Sequence, residues 1–119
     1  MKGMENLVSR LLELKFLQHK HNAYNKGKEW TLNYLEYVKL WGKGICAYSG
    51  VAMTFQANCP NTMSIERIDS MKGYVEGNVT FVCWPLNRSK GWTPLPQYRK
   101  DCVAVAKFQN NSKNILTRI

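Results

Sequence analysis

The feature that most constrains the fold is a pair of short β-type segments joined by a glycine-containing connection. Residues 63–68 alternate apolar and polar side chains, which predicts a half-buried strand. Residues 79–83 are apolar and β-branched, which predicts a second strand. The connection contains Gly73 and Gly77, which we expect to adopt positive φ, and Pro85 suits the first turn of a helix. The centre of the chain is therefore predicted to be a strand–loop–strand–helix unit.

Helical patterns flank this unit on both sides. A first helix is predicted at residues 4–22, with a core-facing stripe of Leu7, Val8, Leu11, Leu12 and Leu14. A second helix is predicted from a Thr31 cap to about Trp41, with a shared apolar face of Leu32, Leu35 and Val38. A last helix is predicted to start at Thr93-Pro94, with one face made of Leu95, Tyr98, Cys102 and Val105.

The length of 119 residues allows one domain with an adequate core. Hydrophobic residues make up 45% and charged residues 21% of the chain, which is a globular composition and argues against disorder. We therefore predict a single α+β domain over residues 1–119. It comprises a helical part at 1–44, the strand–loop–strand–helix core at 45–91, and a C-terminal helix and tail at 92–119.

The net charge of +9 is concentrated in two basic arms around a slightly acidic centre. Residues 1–45 hold eight Lys/Arg against four Glu, and residues 85–119 hold seven Lys/Arg against one Asp. Residues 46–84 hold two basic against three acidic side chains. A polyanion could lie along the arms while the central acids hold a cation, as in a metal-dependent nuclease. The alternative is that the positive charge serves solubility alone.

The cysteine spacing, the lack of long apolar runs and the N-terminal segment argue against zinc-binding, membrane and secreted proteins. The four cysteines are far apart and form no C-x-x-C pair, so a zinc site is unlikely, and Cys83 and Cys102 are expected to be small core residues. No apolar run approaches the roughly 20 residues that span a bilayer, so no membrane association is expected. The charged N-terminal segment does not resemble a signal peptide, which predicts a cytoplasmic protein without disulfides.

Four segments, at 64–69, 72–79, 82–83 and 87–90, resemble the phage-type branch of the HNH (ββα-metal) endonucleases. That branch typically reads S-[IL]-[DE]-R-I-D, K-G-Y-x-x-G-N-[VI], V-[CH] and N-x-x-K, and the resemblance covers about residues 26–91. It implies a ββα-metal core and an endonuclease that cleaves or nicks DNA with Mg²⁺ or Mn²⁺. It also suggests a phage or mobile-element origin, and hence the cytoplasm of a bacterial host.

A hairpin followed by a helix can bring Glu66, near the end of the first strand, close to Asn87, one turn into the helix. A carboxylate and an amide oxygen are hard ligands that, with waters and a scissile phosphate, could complete an octahedral Mg²⁺ shell. Such a metal could stabilise the departing 3′ oxygen. The alternatives are that Glu66 pairs with Arg67 at the strand end and that Asn87 caps the helix.

The general base is not identified by the sequence. Many HNH enzymes carry a histidine directly after the first acid, where this chain has Arg67, whose guanidinium stays protonated and could only grip phosphate. The base could be Asp69, which we favour, a metal-bound hydroxide, or one of His19 and His21. In the family, the residue matching Asn78 ties the loop to the strand and helps to orient the catalytic pair.

Nucleic-acid contacts are predicted beside this centre, with the phosphate backbone held by Arg67, Lys72, Arg88 and Lys90. Further basic residues on the flanking helices could extend the track, namely Lys20, Lys26, Lys28, Arg99, Lys100 and Lys107. Trp84 and Trp92 could stack on bases, although packing is the favoured interpretation.

Two other functional classes stay open. One is a catalytically inactive HNH scaffold that binds nucleic acid or a host protein, for example in phage counter-defence, and the other is a structural or protein-interaction module. A homodimer is also possible. The sequence leaves open the target, nicking against double-strand cutting, and DNA against RNA.

Overall fold

The computed structural model describes residues 2–111, and the side chains of residues 7–111. The predicted tail beyond residue 111 lies outside the described residues. The elements are α1 (Lys2–Asn25), α2 (Tyr34–Trp41), β1 (Met63–Arg67), β2 (Val79–Cys83), α3 (Trp84–Lys90) and α4 (Leu95–Gln109). This order confirms the predicted mixed α+β fold with a central strand–loop–strand–helix unit.

The two strands form an antiparallel hairpin in which Ser64 pairs with Val82 and Glu66 pairs with Thr80. Because successive side chains in a strand point to opposite faces, Ser64 and Glu66 share one face of the hairpin. Helix α3 lies on that face, since Asn87 donates hydrogen bonds to the Ser64 hydroxyl and to the main chain of β1. The hairpin and α3 therefore form the predicted ββα unit.

The opposite face of the hairpin covers the main hydrophobic core. Tyr37 and Trp41 of α2 meet Phe81 of β2 edge to face, with ring centroids 4.9 Å and 5.5 Å apart. Helix α1 completes this core with Leu12, and Met63 of β1 joins it. Edge-to-face contacts of this kind add stabilisation to the burial of apolar area. The helical part of the chain thus serves as the support for the hairpin.

The core-facing stripe of α1 differs from the predicted one. Leu12 is buried as predicted, but Leu7 and Leu14 are 57% and 64% exposed. Ala23 is buried and Phe16 packs against the core in their place. Both stripes have helical spacing, but the second contains fewer leucines. The sequence pattern favours the face of α1 with more leucines. The structure buries the face that carries Phe16, which contacts the aromatic rings of α2.

Helix α2 begins later than predicted, because Asn33 and not Thr31 is its N-cap. The Asn33 side chain accepts from the Glu36 amide and the Glu36 carboxylate accepts from the Asn33 amide, which is a capping box. Of the predicted apolar face, Leu32 is buried just before the helix and Val38 is half-buried, but Leu35 is 63% exposed, so its predicted burial is wrong. Tyr37 and Trp41 are the buried side chains instead.

Helix α4 matches its predicted position but not its predicted burial. Tyr98 is its one buried residue among those described, while Cys102 and Val105 are exposed. Cys83 is buried as predicted, and its backbone amide donates to the Cys46 sulfur. Among residues 2–111, no helix combines the length and apolar character that crossing a membrane requires.

Candidate functional site

A cavity of about 610 Å³ opens where α1, the hairpin and α3 meet. Its wall includes two residues predicted to bind metal, Glu66 and Asn87, together with Arg67. It also includes His19 of α1 and two tryptophans beside α3, Trp84 and Trp92. The fold therefore gathers residues that are far apart in the chain onto the wall of one open space.

Asn87 is held rigidly by its amide nitrogen. Nδ2 donates to Ser64 Oγ at 3.1 Å and to the Ile65 carbonyl at 2.9 Å, and Ser64 Oγ in turn donates to the Val82 carbonyl at 2.8 Å. Both amide protons are therefore used, and Oδ1 accepts no hydrogen bond from the described residues. This arrangement fixes the side chain while leaving its oxygen available to a ligand.

Glu66 is 5% exposed and its carboxylate is held from the inner side. Its Oε2 lies 3.9 Å from the Lys90 ammonium and 3.5 Å from the Tyr48 hydroxyl, which donates to it. Burial raises the pKa of Glu66, and the nearby Lys90 charge and the Tyr48 hydrogen bond oppose that rise. The carboxylate thus reaches the cavity from a buried position with its charge partly compensated.

Lys90 is buried, although the sequence predicted it to be a phosphate contact on the surface. It is 2% exposed and its ammonium lies 3.9 Å from Glu66 Oε2, so it is not part of an exposed basic track. The cause is the helical geometry of α3: residues 87 and 90 lie on the same face, and that face rests on the hairpin. Of the predicted phosphate contacts, Lys72 and Arg88 are exposed and Arg67 is half-buried.

Arg67 lies on the cavity wall and also supports the loop that follows β1. Its Nη1 donates to the carbonyls of Ser70 at 2.8 Å and Lys72 at 3.1 Å, and its guanidinium lies 5.3 Å from the Tyr74 ring centroid. The Nε and Nη2 donors make no hydrogen bond to the described residues. They could therefore serve a bound anion without disturbing the loop.

Asn78 holds the loop between the strands. Its Oδ1 accepts from the Asp69 amide at 2.8 Å, and its Nδ2 donates to the carbonyls of Asp69 at 3.0 Å and Gly73 at 2.9 Å. Because its amide is fully used and 6% exposed, this side chain positions the loop and does not face the cavity. Its place agrees with the loop-tying role that the resemblance implies.

The two glycines of the loop between the strands are required for different physical reasons. Gly77 has a φ of 85°, as predicted, but Gly73 has no positive φ. A Cβ on Gly73 would lie 2.8 Å from the Glu29 carbonyl oxygen, so this position requires glycine because the loop passes close to the chain before α2. The Tyr74 amide hydrogen bonds to the same Glu29 carbonyl.

Of the candidate bases, the structure brings His19 to the cavity and leaves Asp69 outside it. Asp69 lines a neighbouring cavity, and its Oδ1 accepts from the Met71 amide at 2.9 Å in a local turn. His19 Nδ1 shares a 2.8 Å hydrogen bond with the buried Tyr37 hydroxyl. Burial, assisted by the Lys15 charge, lowers the pKa of His19 to about 4. His21 is exposed and bonds to Asn25 at 3.1 Å.

Two residues of the site had little or no signal in the sequence. Tyr48 lies in the turn at residues 46–50, which the resemblance to the HNH family also covers, but nothing in that pattern assigns its hydroxyl to Glu66. His19 is one of the candidate bases that the sequence offers, but the sequence pattern favours a surface position on a polar face for it. Its spacing of three and four residues from Phe16 and Ala23 is the signal that could have placed it on the inner face of α1.

A divalent cation fits the donor set of the cavity. Within residues 2–111 there is no group of three His, Cys, Asp or Glu side chains that could hold a metal ion alone. Glu66 and Asn87 instead offer two hard oxygen donors on one wall, and Asn87 Oδ1 accepts no hydrogen bond from the described residues, so it is available to a cation. Such a pair suits Mg²⁺, which keeps several waters and a substrate phosphate in its shell.

The comparison with solved structures finds a protein of similar fold. No protein-family model matches the chain, and no curated protein matches its sequence. The fold is similar to that of PacI, a rare-cutting HNH restriction endonuclease, with a TM-score of 0.65 over 81% of this chain and 77% of that one. The two sequences are 18% identical, so the similarity concerns the fold alone. The chain therefore has an HNH-type α+β fold, with a two-stranded antiparallel hairpin and flanking helices.

Proposed function

We propose that this protein is an HNH-type endonuclease that cleaves or nicks DNA phosphodiester bonds with a divalent metal. The observation that carries the proposal is the meeting of Glu66 and Asn87 on the wall of one cavity in the ββα unit. The net charge of +9 suits a polyanionic substrate. The HNH fold shared with a restriction endonuclease adds further support.

In this proposal each side chain has one task. Glu66 and Asn87 hold Mg²⁺ or Mn²⁺, and the bound metal supplies charge stabilisation for the departing oxygen. Arg67 binds the scissile phosphate through the donors that the loop does not use. Lys90 and Tyr48 hold Glu66 in place from within the protein. Asn78 keeps the loop and Arg67 in position.

His19 is our candidate for the general base in place of Asp69. Its low pKa keeps the imidazole neutral at pH 7, which is the form that can accept a proton from water. In the tautomer in which Nδ1 donates to the Tyr37 hydroxyl, the Nε2 lone pair is left for the attacking water. The base would then come from helix α1 and not from the position occupied by Arg67.

The decisive experiment is nicking of supercoiled plasmid in Mg²⁺ or Mn²⁺ by the native protein and by Glu66→Ala. We expect cleavage by the native protein only, with a loss of at least about a hundredfold in the variant. Glu76→Ala is the matched control, because Glu76 is an exposed acid outside the cavity. Equal cleavage by native protein and Glu66→Ala would rule out this site.

The role of His19 is tested by the pH dependence of the cleavage rate. The native rate should fall at low pH with an apparent pKa near 4, and His19→Gln should be slower by about a hundredfold or more across the range. His21→Gln is the control and should behave as the native protein. An unchanged profile in His19→Gln would return Asp69 or a metal-bound hydroxide as the candidate base.

A second candidate function is binding without cleavage. The observation in its favour is the Glu66–Lys90 pair, which already compensates the carboxylate in the absence of a metal. A scaffold of this kind would bind nucleic acid, or a host protein, tightly and leave plasmid intact in both Mg²⁺ and Mn²⁺. The same plasmid assay therefore separates the two functions.

A further inference from the structure

The mouth of the cavity carries large apolar side chains that face solvent. Trp92 is 87% exposed and Trp84 is 47% exposed, and both line the cavity that holds Glu66 and Asn87. Met71, which is 90% exposed, lies on the same wall. Trp92 therefore does not pack as the sequence favoured, and Trp84 keeps about half of its surface exposed. Exposed large apolar groups gathered beside a site often mark a binding surface.

The two tryptophans differ from the other two in the chain. Trp30 and Trp41 each contact at least two aromatic rings in or beside the core. Trp84 and Trp92 contact no aromatic ring among the described residues. Their ring faces are therefore available to a planar ligand, which is the requirement for stacking.

The backbone holds the two tryptophans at opposite ends of α3. Trp84 is the first residue of this helix, and its amide donates to the Thr62 carbonyl at 2.7 Å. Gly91 ends the helix with a φ of 52°, a conformation that places Trp92 beyond the last turn. A seven-residue helix is roughly 10 Å long. That length corresponds to about three base steps at ~3.4 Å each.

The charges near the two rings suit a nucleic-acid strand. Lys26 and Arg67 line the same cavity, and exposed Arg88 lies beside Trp92 in an adjoining pocket. Basic side chains can hold the phosphates while aromatic rings take the bases, which is the arrangement of single-strand binding proteins. In an intact duplex each base is already stacked and paired, so its face is not available to a side chain.

We propose that Trp84 and Trp92 stack on unpaired bases, so that the substrate is a single-stranded or locally unpaired nucleic acid. This proposal rests on the proposed nuclease function, because it identifies the substrate class of the same cavity. The two rings are positioning groups on either side of Asn87, and Arg88 with Lys26 holds the backbone. Intact duplex is expected to be the weaker ligand.

The test measures binding by fluorescence anisotropy of labelled DNA in EDTA, so that no cleavage occurs. Three ligands of equal phosphate number are compared: a single strand, a duplex and an abasic single strand. The native protein should bind the single strand about tenfold or more tightly than either of the others. Trp92→Ala and Trp84→Ala should each reduce that affinity by about tenfold and leave the abasic strand unaffected.

Phe108→Ala is the matched control, because Phe108 is an exposed aromatic residue on α4 that does not line the cavity. It should bind all three ligands as the native protein does. Equal affinity of the native protein for the single strand and the abasic strand would overturn the proposal. So would tryptophan variants with unchanged single-strand affinity, which would point instead to a protein-docking role for these side chains.

The binding test is independent of the nuclease test. If the protein fails to cleave in Mg²⁺ or Mn²⁺ but prefers unpaired bases through Trp84 and Trp92, the nuclease proposal fails and the stacking proposal stands. If it cleaves duplex plasmid through Glu66 and shows no dependence on the two tryptophans, the stacking proposal fails and the nuclease proposal stands.

Discussion

At the scale of single residues, the buried pair of Glu66 and Lys90 determines how the site is built. One alternative from the sequence pairs Glu66 with the adjacent Arg67. The ion pair of Glu66 is instead with Lys90 of α3, because adjacent side chains of a strand point to opposite faces and α3 lies on the face that carries Glu66. A buried charge is strongly destabilising when its ionic partner is removed.

We predict that Lys90→Met reduces the free energy of unfolding by about 3 kcal/mol at pH 7, because it leaves the Glu66 carboxylate buried without its ionic partner. The double variant Glu66→Gln, Lys90→Met should recover most of that loss, since no buried charge remains. Urea denaturation of the three proteins measures both values. A double variant that is no more stable than Lys90→Met would show that the two groups are not coupled.

His19 should make the stability depend on pH. Its pKa in the folded protein, about 4, lies below the ordinary value of 6.5, so the unfolded chain binds the proton more readily. Stability is therefore fully present above pH 6.5 and is lost as the pH falls towards about 4. We expect a loss on the order of 2 kcal/mol, allowing for partial solvent screening.

Urea denaturation between pH 7 and pH 4.5 measures this effect. His19→Gln should show a weaker loss of stability over that interval than the native protein, and His21→Gln should match the native protein. If His19→Gln and native protein lose stability equally, the imidazole is not buried as the structure has it.

At the scale of elements, the connection between the strands depends on Asn78. Its three hydrogen bonds join the main chain at Asp69 and Gly73. Both residues lie in the connection, outside the hydrogen-bonded ladder of β1 and β2. The loop carries Arg67's carbonyl partners, so its conformation and the position of the guanidinium are linked.

Asn78→Ala should therefore destabilise the protein by about 2–3 kcal/mol, because it removes three hydrogen bonds made by a buried side chain. Asn78→Asp keeps an acceptor for the Asp69 amide but cannot donate to the two carbonyls, so it should not restore stability. Thermal unfolding measures the loss, and hydrogen exchange should show faster exchange of the Asp69 amide. Native-like stability of Asn78→Asp would contradict the assigned donors.

At the scale of the whole molecule, the basic charge should govern binding through the salt concentration. A ligand held by about six phosphate contacts loses roughly a thousandfold in affinity between 50 mM and 200 mM salt. The exposed residues Lys72 and Arg88 should each contribute to this slope, and buried Lys90 should not.

We predict that Arg88→Ala lowers the slope of log affinity against log salt by about one. The double variant Glu66→Gln, Lys90→Met should leave the slope unchanged when metal is absent, because the pair it removes has no net charge and Lys90 is 2% exposed. Anisotropy titrations at several salt concentrations provide the slopes. Binding that does not weaken with salt would favour the protein-interaction class over both nucleic-acid functions.

Local patterns in the sequence determined the elements of this protein, the hairpin–helix order and the acid and amide that meet on it. Strand alternation, Pro85 and the loop glycines act over a few residues, so the sequence displays them directly. Which face of α1 and α4 is buried could not be predicted in this way, because the core partner of each helix lies far along the chain.

Only the tertiary structure placed Tyr48 and Lys90 against Glu66. It also brought His19 to the same cavity and exposed Trp84 and Trp92 there. The physical reason is that burial and pKa depend on which distant elements pack together, and the packing is settled by the summed contacts of the aromatic core. A residue type and its near neighbours do not contain that information.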